Sequence, residues 1–121
     1  MTKEEMLKRT KAFALRTIKA VNALPSGKVS DVLGRQLLRS GTSVGANYRA
    51  ACRAKSNSDF VNKLKIVEEE CDESHYWMEL LVESDTLPLR RLKPLMQEAT
   101  EILSITVAAL RTTRTRQKNY S

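Results

Sequence analysis

Glycine and proline together supply 7 of 121 residues, and none of the 3 prolines falls in an alternating, strand-like run. Sheet-rich folds need more of both at their turns, so the composition favours long helices. Two cysteines, Cys52 and Cys71, form neither a CxxC pair nor a zinc-binding set; such isolated cysteines behave as small, reduced hydrophobic residues. No apolar run approaches the length that crosses a bilayer. Near the start, Lys3, Glu4, Glu5, Lys8, Arg9, Lys11 and Arg16 exclude the apolar stretch of a secretory leader. A cytoplasmic protein without membrane contact is expected, and 41% hydrophobic content is enough for one core and one domain over residues 1–121.

Histidine is scarcer still. His75 stands alone, three residues after Asp72, whereas a carboxylate-bridged di-iron bundle needs a Glu-x-x-His motif on each of two helices. Neither cysteine has an identifiable base, so nucleophilic catalysis has no residues to run on. The glycine-containing run GTSVGAN, Gly41 to Asn47, lacks the GxxxxGK[ST] spacing of a phosphate-cradling loop and follows no strand. These gaps predict a protein that is not an enzyme and takes no metal, cofactor or small-molecule substrate.

What is present is charge, unevenly spread. Residues 1–56 carry 12 Lys/Arg against 3 Asp/Glu, residues 57–88 carry 2 against 9, and residues 89–121 carry 7 against 2. An acidic middle between basic flanks points either to an anionic partner such as nucleic acid or to faces that meet within an assembly. The formal net charge is +7.

Capping signals at Thr2 with Glu5, Ser30 before Asp31, and Ser56 with Asp59 predict helix starts. Breaks are expected at Pro25-Ser26-Gly27, around Lys55-Ser56-Asn57 and at Asp85-Thr86-Leu87-Pro88. The predicted helices cover roughly 3–24, 30–55, 57–84 and 89–114, with a basic tail over 115–121. Met6, Thr10, Phe13, Thr17, Ala20 and Leu24 form the first core stripe, Phe60, Leu64, Val67, Cys71, Ser74, Met78 and Leu81 the third, and Leu92, Leu95, Ala99, Ile102, Thr106, Ala109 and Thr113 the fourth. Pro94 marks the first turn or a kink of the last helix. Short links make the simplest architecture an all-α, up-down-up-down antiparallel four-helix bundle.

The second helix has three sides. Leu33, Leu37, Ser40, Val44, Asn47 and Ala51 form its core stripe at about 100° per residue. A quarter turn away lie Gly34, Gly41, Gly45 and Cys52, with Leu38 and Tyr48 beside them. Each helical glycine costs about 1 kcal/mol against alanine, so three on one side require close approach of a neighbouring helix or of another subunit. The remaining side carries Arg35, Arg39, Arg49 and Arg53. That ridge is either a solvated face, a phosphate-binding surface suited to the guanidinium fork, or a partner for the acidic third helix of a neighbour. Trp77, off the third core stripe beside Ile66 and Leu80, is read as core packing or as a subunit contact. Beyond it, Arg111, Arg114, Arg116 and Lys118 make the chain's end basic, in a fraying helix end followed by disorder.

Two stretches carry a resemblance. Arg39, Ser40, Thr42, Ser43, Ala46 and Asn47, in the pattern RS-x-TS-x-x-AN, and Glu73, Tyr76, Trp77, Glu79, Leu80 and Leu81, in the pattern E-x-x-YW-x-E-LL, resemble the proteins encoded in intervening sequences of bacterial 23S rRNA genes. The resemblance runs from about Phe13 to Arg114. It implies a four-helix bundle assembling into a homo-oligomeric, pentameric ring with no known enzymatic activity, a fold also similar to that of the accessory variability protein of retroelements. Together with the charge pattern, this predicts RNA or other nucleic acid as partner, through Arg35, Arg39, Arg49, Arg53, Arg111, Arg114, Arg116 and Lys118. The alternative is a protein-interaction scaffold, or an accessory subunit of an enzyme such as a reverse transcriptase, with charge-paired subunit interfaces.

Overall fold

The computed structural model describes the backbone of residues 1–120 and the side chains of residues 1–116. Four helices make up an all-α bundle: α1 Lys3–Asn22, α2 Lys28–Ala51, α3 Asn57–Glu83 and α4 Leu89–Tyr120. Among the described residues no helix is long and apolar enough to cross a membrane.

Local chemistry fixes the starts of α1 and α3. Thr2 Oγ1 accepts from the Glu5 N–H at 3.1 Å, and Ser56 Oγ accepts from the Asp59 N–H at 3.1 Å, each satisfying a backbone donor that the first turn leaves free. The second start differs from the sequence reading. Helix α2 begins at Lys28, with Gly27 at φ 150° as its cap residue, and Ser30 is buried inside the helix. Glycine reaches that φ without the Cβ clash that other residues meet, so the helix is capped three residues before Ser30. At its other end α2 stops at Ala51, which places Arg53 on the turn to α3.

Helix α4 also departs from its predicted limits. It continues through Tyr120 rather than ending at Arg114, since the run from Arg111 to Tyr120 contains neither glycine nor proline to stop it. The side chain of Lys118 lies outside the described residues. Pro94 sits in the second turn of α4, exposed, and the helix passes through it.

The main core gathers Met6 and Phe13 of α1, Leu37 and Val44 of α2, Val67, Cys71, Met78 and Leu81 of α3, and Leu92, Leu95, Ala99 and Ile102 of α4. Buried hydroxyls on the same stripes are internally satisfied. Thr10, Thr17 and Thr106 each donate to the carbonyl four residues earlier, at 2.9, 2.8 and 2.8 Å, so their burial leaves no orphan donor. Helix α2 packs on α1 and α3, and α4 packs on α3 and α1. A smaller core of Ala51, Leu64 and Leu110, flanked by Tyr48 and Phe60, joins the end of α2 to the first turns of α3 and the later turns of α4.

Candidate functional site

The three helical glycines face α1 of the same chain. A Cβ at Gly41 would stand 2.5 Å from Thr17 Cγ2, one at Gly45 would stand 3.2 Å from the Thr10 carbonyl oxygen, and one at Gly34 would stand 2.9 Å from Leu24 Cδ1. Contacts that ascend α1 from Thr10 through Thr17 to Val21 descend α2 from Gly45 through Gly41 to Gly34, so these two helices run in opposite directions. The glycines therefore let two backbones approach closely.

The arginine ridge is divided three ways. Arg39 turns to α3, where Nη1 donates to Glu70 Oε2 at 3.0 Å and Nη2 donates to Glu73. Glu73 also accepts from Trp77 Nε1 at 3.2 Å, and Trp77, half-buried against the main core, meets Tyr76 edge to face at 5.2 Å. One turn inward, Ser74 Oγ lies 2.8 Å from both Ser40 Oγ and the Glu70 carbonyl. The two sequence motifs thus meet each other across the α2–α3 seam. Burial outweighs Arg39 and lifts the Glu70 carboxyl above its ordinary range. Spacing puts Ser40 and Ser74 each on a core stripe, and their pairing across the seam is what periodicity alone does not show.

Arg49 and Arg53 face the other way. With Lys3 and Lys11 of α1 they border a groove of about 490 Å³ between α1 and α2, whose lining includes Leu7, Ala14 and Ala46. Arg35 lies apart, beside a shallower hollow near Leu24 and Pro25. Tyr48 packs against both cores, and burial followed by the neighbouring Cys52 thiol pushes its hydroxyl up to about 12. A second ion pair ties α1 to α4: Arg9 donates to Glu98 through Nε at 2.7 Å and Nη2 at 2.8 Å, and to Glu101 as well. The Arg9 hydrogen bond outweighs burial and holds Glu98 below the usual carboxylate range.

The small core brings distant cations together. Because Leu110 packs with Ala51 and Leu64, the exposed Arg111, Arg114 and Arg116 of α4 share one end of the bundle with Arg49, Arg53 and Lys55. Lys3 joins them across the hollow that also holds Lys55 and Phe60. Glu4, Glu5 and Asp59 occupy first turns of helices at this end, where negative charge offsets the helix dipole.

Two further titratable groups lie on α3. Cys71 is buried, and burial followed by Glu70 and Asp72 raises its thiol to about 12. His75 Nδ1 lies 2.8 Å from Glu79 Oε1 on the same helix.

The sequence model of the 23S rRNA-intervening sequence protein family matches residues 2–108. The chain belongs to that family. A solved structure from Bacteroides thetaiotaomicron, described as a protein with unknown function from the S23 ribosomal protein family, is similar to it with a TM-score of 0.85 at 32% identity. The match covers 92% of this chain and 99% of that one. No curated protein matches. Within this intervening-sequence family member, the matched span holds the α2–α3 motif junction and the α1–α2 groove, while Arg111, Arg114 and Arg116 lie beyond it.

Proposed function

We propose that this protein is a non-enzymatic, oligomeric four-helix bundle that binds RNA or another nucleic acid through the basic end built from Arg49, Arg53, Lys55, Arg111, Arg114 and Arg116. The observation that carries this reading is the small core of Ala51, Leu64 and Leu110. It brings basic segments that are far apart in sequence to one end of the bundle, where guanidinium groups can meet phosphates bidentately without a dedicated pocket. Arg35 lies further along α2, and Arg39, already held by Glu70 and Glu73, contributes less than the other ridge arginines.

The remaining features are part of the same proposal. The α1–α2 contacts, together with the short links, support an up-down-up-down order for the bundle. A homo-oligomer, in pentameric form a ring, repeats the basic end, so individually weak phosphate contacts gain from effective concentration. The assembly works in the cytoplasm. The charge-paired scaffold is less favoured, because Arg39 of α2 finds its acidic α3 partners within its own chain.

Filter binding of a structured RNA tests the reading. Retention at low salt is expected for the wild type and should fall at least tenfold in affinity for Arg53→Glu with Arg114→Glu. Light scattering on the same samples should give about five times the 13.7 kDa chain mass in both. Unchanged RNA retention in the double variant removes the proposed surface, and a wild-type mass of one chain removes the ring.

A further inference from the structure

The α1–α2 groove has a different character from the basic end that it borders. Leu7 and Ala14 of α1, Ala46 of α2 and the methyl group of Thr42 supply an aliphatic floor, and among the described residues no aromatic side chain lines it. Bases are held on aromatic faces, so this floor offers a nucleic acid little beyond its edges. Ile18 lies four residues beyond Ala14, and Leu38 four before Thr42, which places each on the same side of its helix as the groove; both are exposed. From Lys3 to Ile18 the apolar seam extends about 22 Å, room for about four turns of a third helix.

Charge selects the occupant. Lys3, Lys11, Arg49 and Arg53 line the groove, and among the described residues no carboxylate does. The same face of a second copy would bring these cations against themselves. Helix α3 of a second copy has the right charge, but its outward side at Glu69, Asp72 and Tyr76 offers one aromatic ring where an aliphatic stripe is required. We infer that the groove receives an amphipathic helix of a partner protein, with aliphatic residues at i, i+4, i+7 and i+11 on the floor and Asp or Glu on both flanks. This goes beyond the nucleic-acid reading, with which it shares Arg49 and Arg53.

The test uses the full chain and a labelled synthetic peptide of about 18 residues, with leucines at those spacings flanked by glutamates, read by fluorescence anisotropy. A peptide with the glutamates replaced by lysines should bind at least about tenfold more weakly. Ala46→Arg fills the floor while adding positive charge, so it should weaken the acidic peptide about tenfold and leave RNA retention intact or stronger. That opposite response separates failure of this inference from failure of the RNA reading. If Ala46→Arg lowers the melting temperature, Ala14→Lys provides the same block from α1. Equal binding of the two peptides, or acidic-peptide binding indifferent to both substitutions, overturns the proposal. So does a groove closed to the peptide in which Ala46→Arg reduces the oligomer mass, because a second copy then occupies it.

Discussion

At the scale of single residues, packing of α1 on α2 separates two glycines, Gly41 and Gly34, that look alike in sequence. A methyl group at position 41 meets both branches of Thr17 and its Cβ at 3.0 Å, so rotation of the threonine cannot clear it. Overpacking of this kind costs about 1–3 kcal/mol, against about 1 kcal/mol of regained helix propensity. Gly41→Ala should lose about 1–2 kcal/mol. At position 34 the obstacle is the far end of the Leu24 side chain, which can move, and Gly34→Ala should be neutral or gain up to about 1 kcal/mol. Thermal melts of the two variants check the contrast; equal losses would contradict it. The two half-buried carboxylates, Glu98 and Glu70, separate by sign as well. Glu98 is depressed by Arg9, so its stabilisation is present above its unfolded pKa and is lost as pH falls through the lower folded value. Glu98→Gln should therefore melt below the wild type at pH 7, by about 1 kcal/mol for a charge-assisted pair, and the gap should close below the ordinary carboxylate range. Glu70 is raised by burial, so the folded state binds the extra proton and stability falls as pH rises through that raised value. Glu70→Gln should cost nothing at pH 7, or stabilise, and melts across pH distinguish the pair.

At the scale of helices, the hydrophobic period is the strongest signal: most residues on the stripes of α1, α3 and the middle of α4 are buried as their spacing implies, while Ala20, Leu24 and Phe60, at the stripe ends, are half-buried. Sequence reading placed the start of α2 at Ser30, because serine is a common cap and the positive φ of Gly27 leaves no trace in a hydrophobic pattern. The apolar rhythm of α4 stops near Arg114, whereas a helix without breakers can outlast the core that anchors it. Pro94 is a more useful irregularity. Its nitrogen cannot donate to the Arg90 carbonyl, and both residues are exposed, so no packing depends on the ring. Pro94→Ala should stabilise the protein by about 1–2 kcal/mol, part of the roughly 3 kcal/mol that an interior proline costs, read as a higher denaturant midpoint with unchanged slope. A lower midpoint would show that the ring has a structural use.

At the scale of the whole molecule, charge asymmetry was legible from the sequence but its destination was not. Arg35, Arg39, Arg49 and Arg53 share a helix side by spacing, yet Arg39 is drawn to Glu70 and Glu73, and Arg53 falls on the turn after α2. What unites the remaining cations is contact between Leu110 and residues 46 or more positions earlier, a long-range pairing that periodicity cannot reveal. The family was legible because its motifs lie in the α2–α3 seam, where Ser40, Ser74 and the Arg39 ion pairs require particular side chains rather than apolar volume. The central claim is that the assembled basic end, rather than any single arginine, meets phosphate. The most direct measurement is the salt dependence of RNA affinity for the wild type, Arg114→Glu, and Arg53→Glu with Arg114→Glu. Each phosphate contact contributes about 0.7–0.9 to the slope of log affinity against log salt. The account predicts a slope that becomes shallower by about one with the first substitution and by about two with both, and a slope unchanged by either substitution would contradict it.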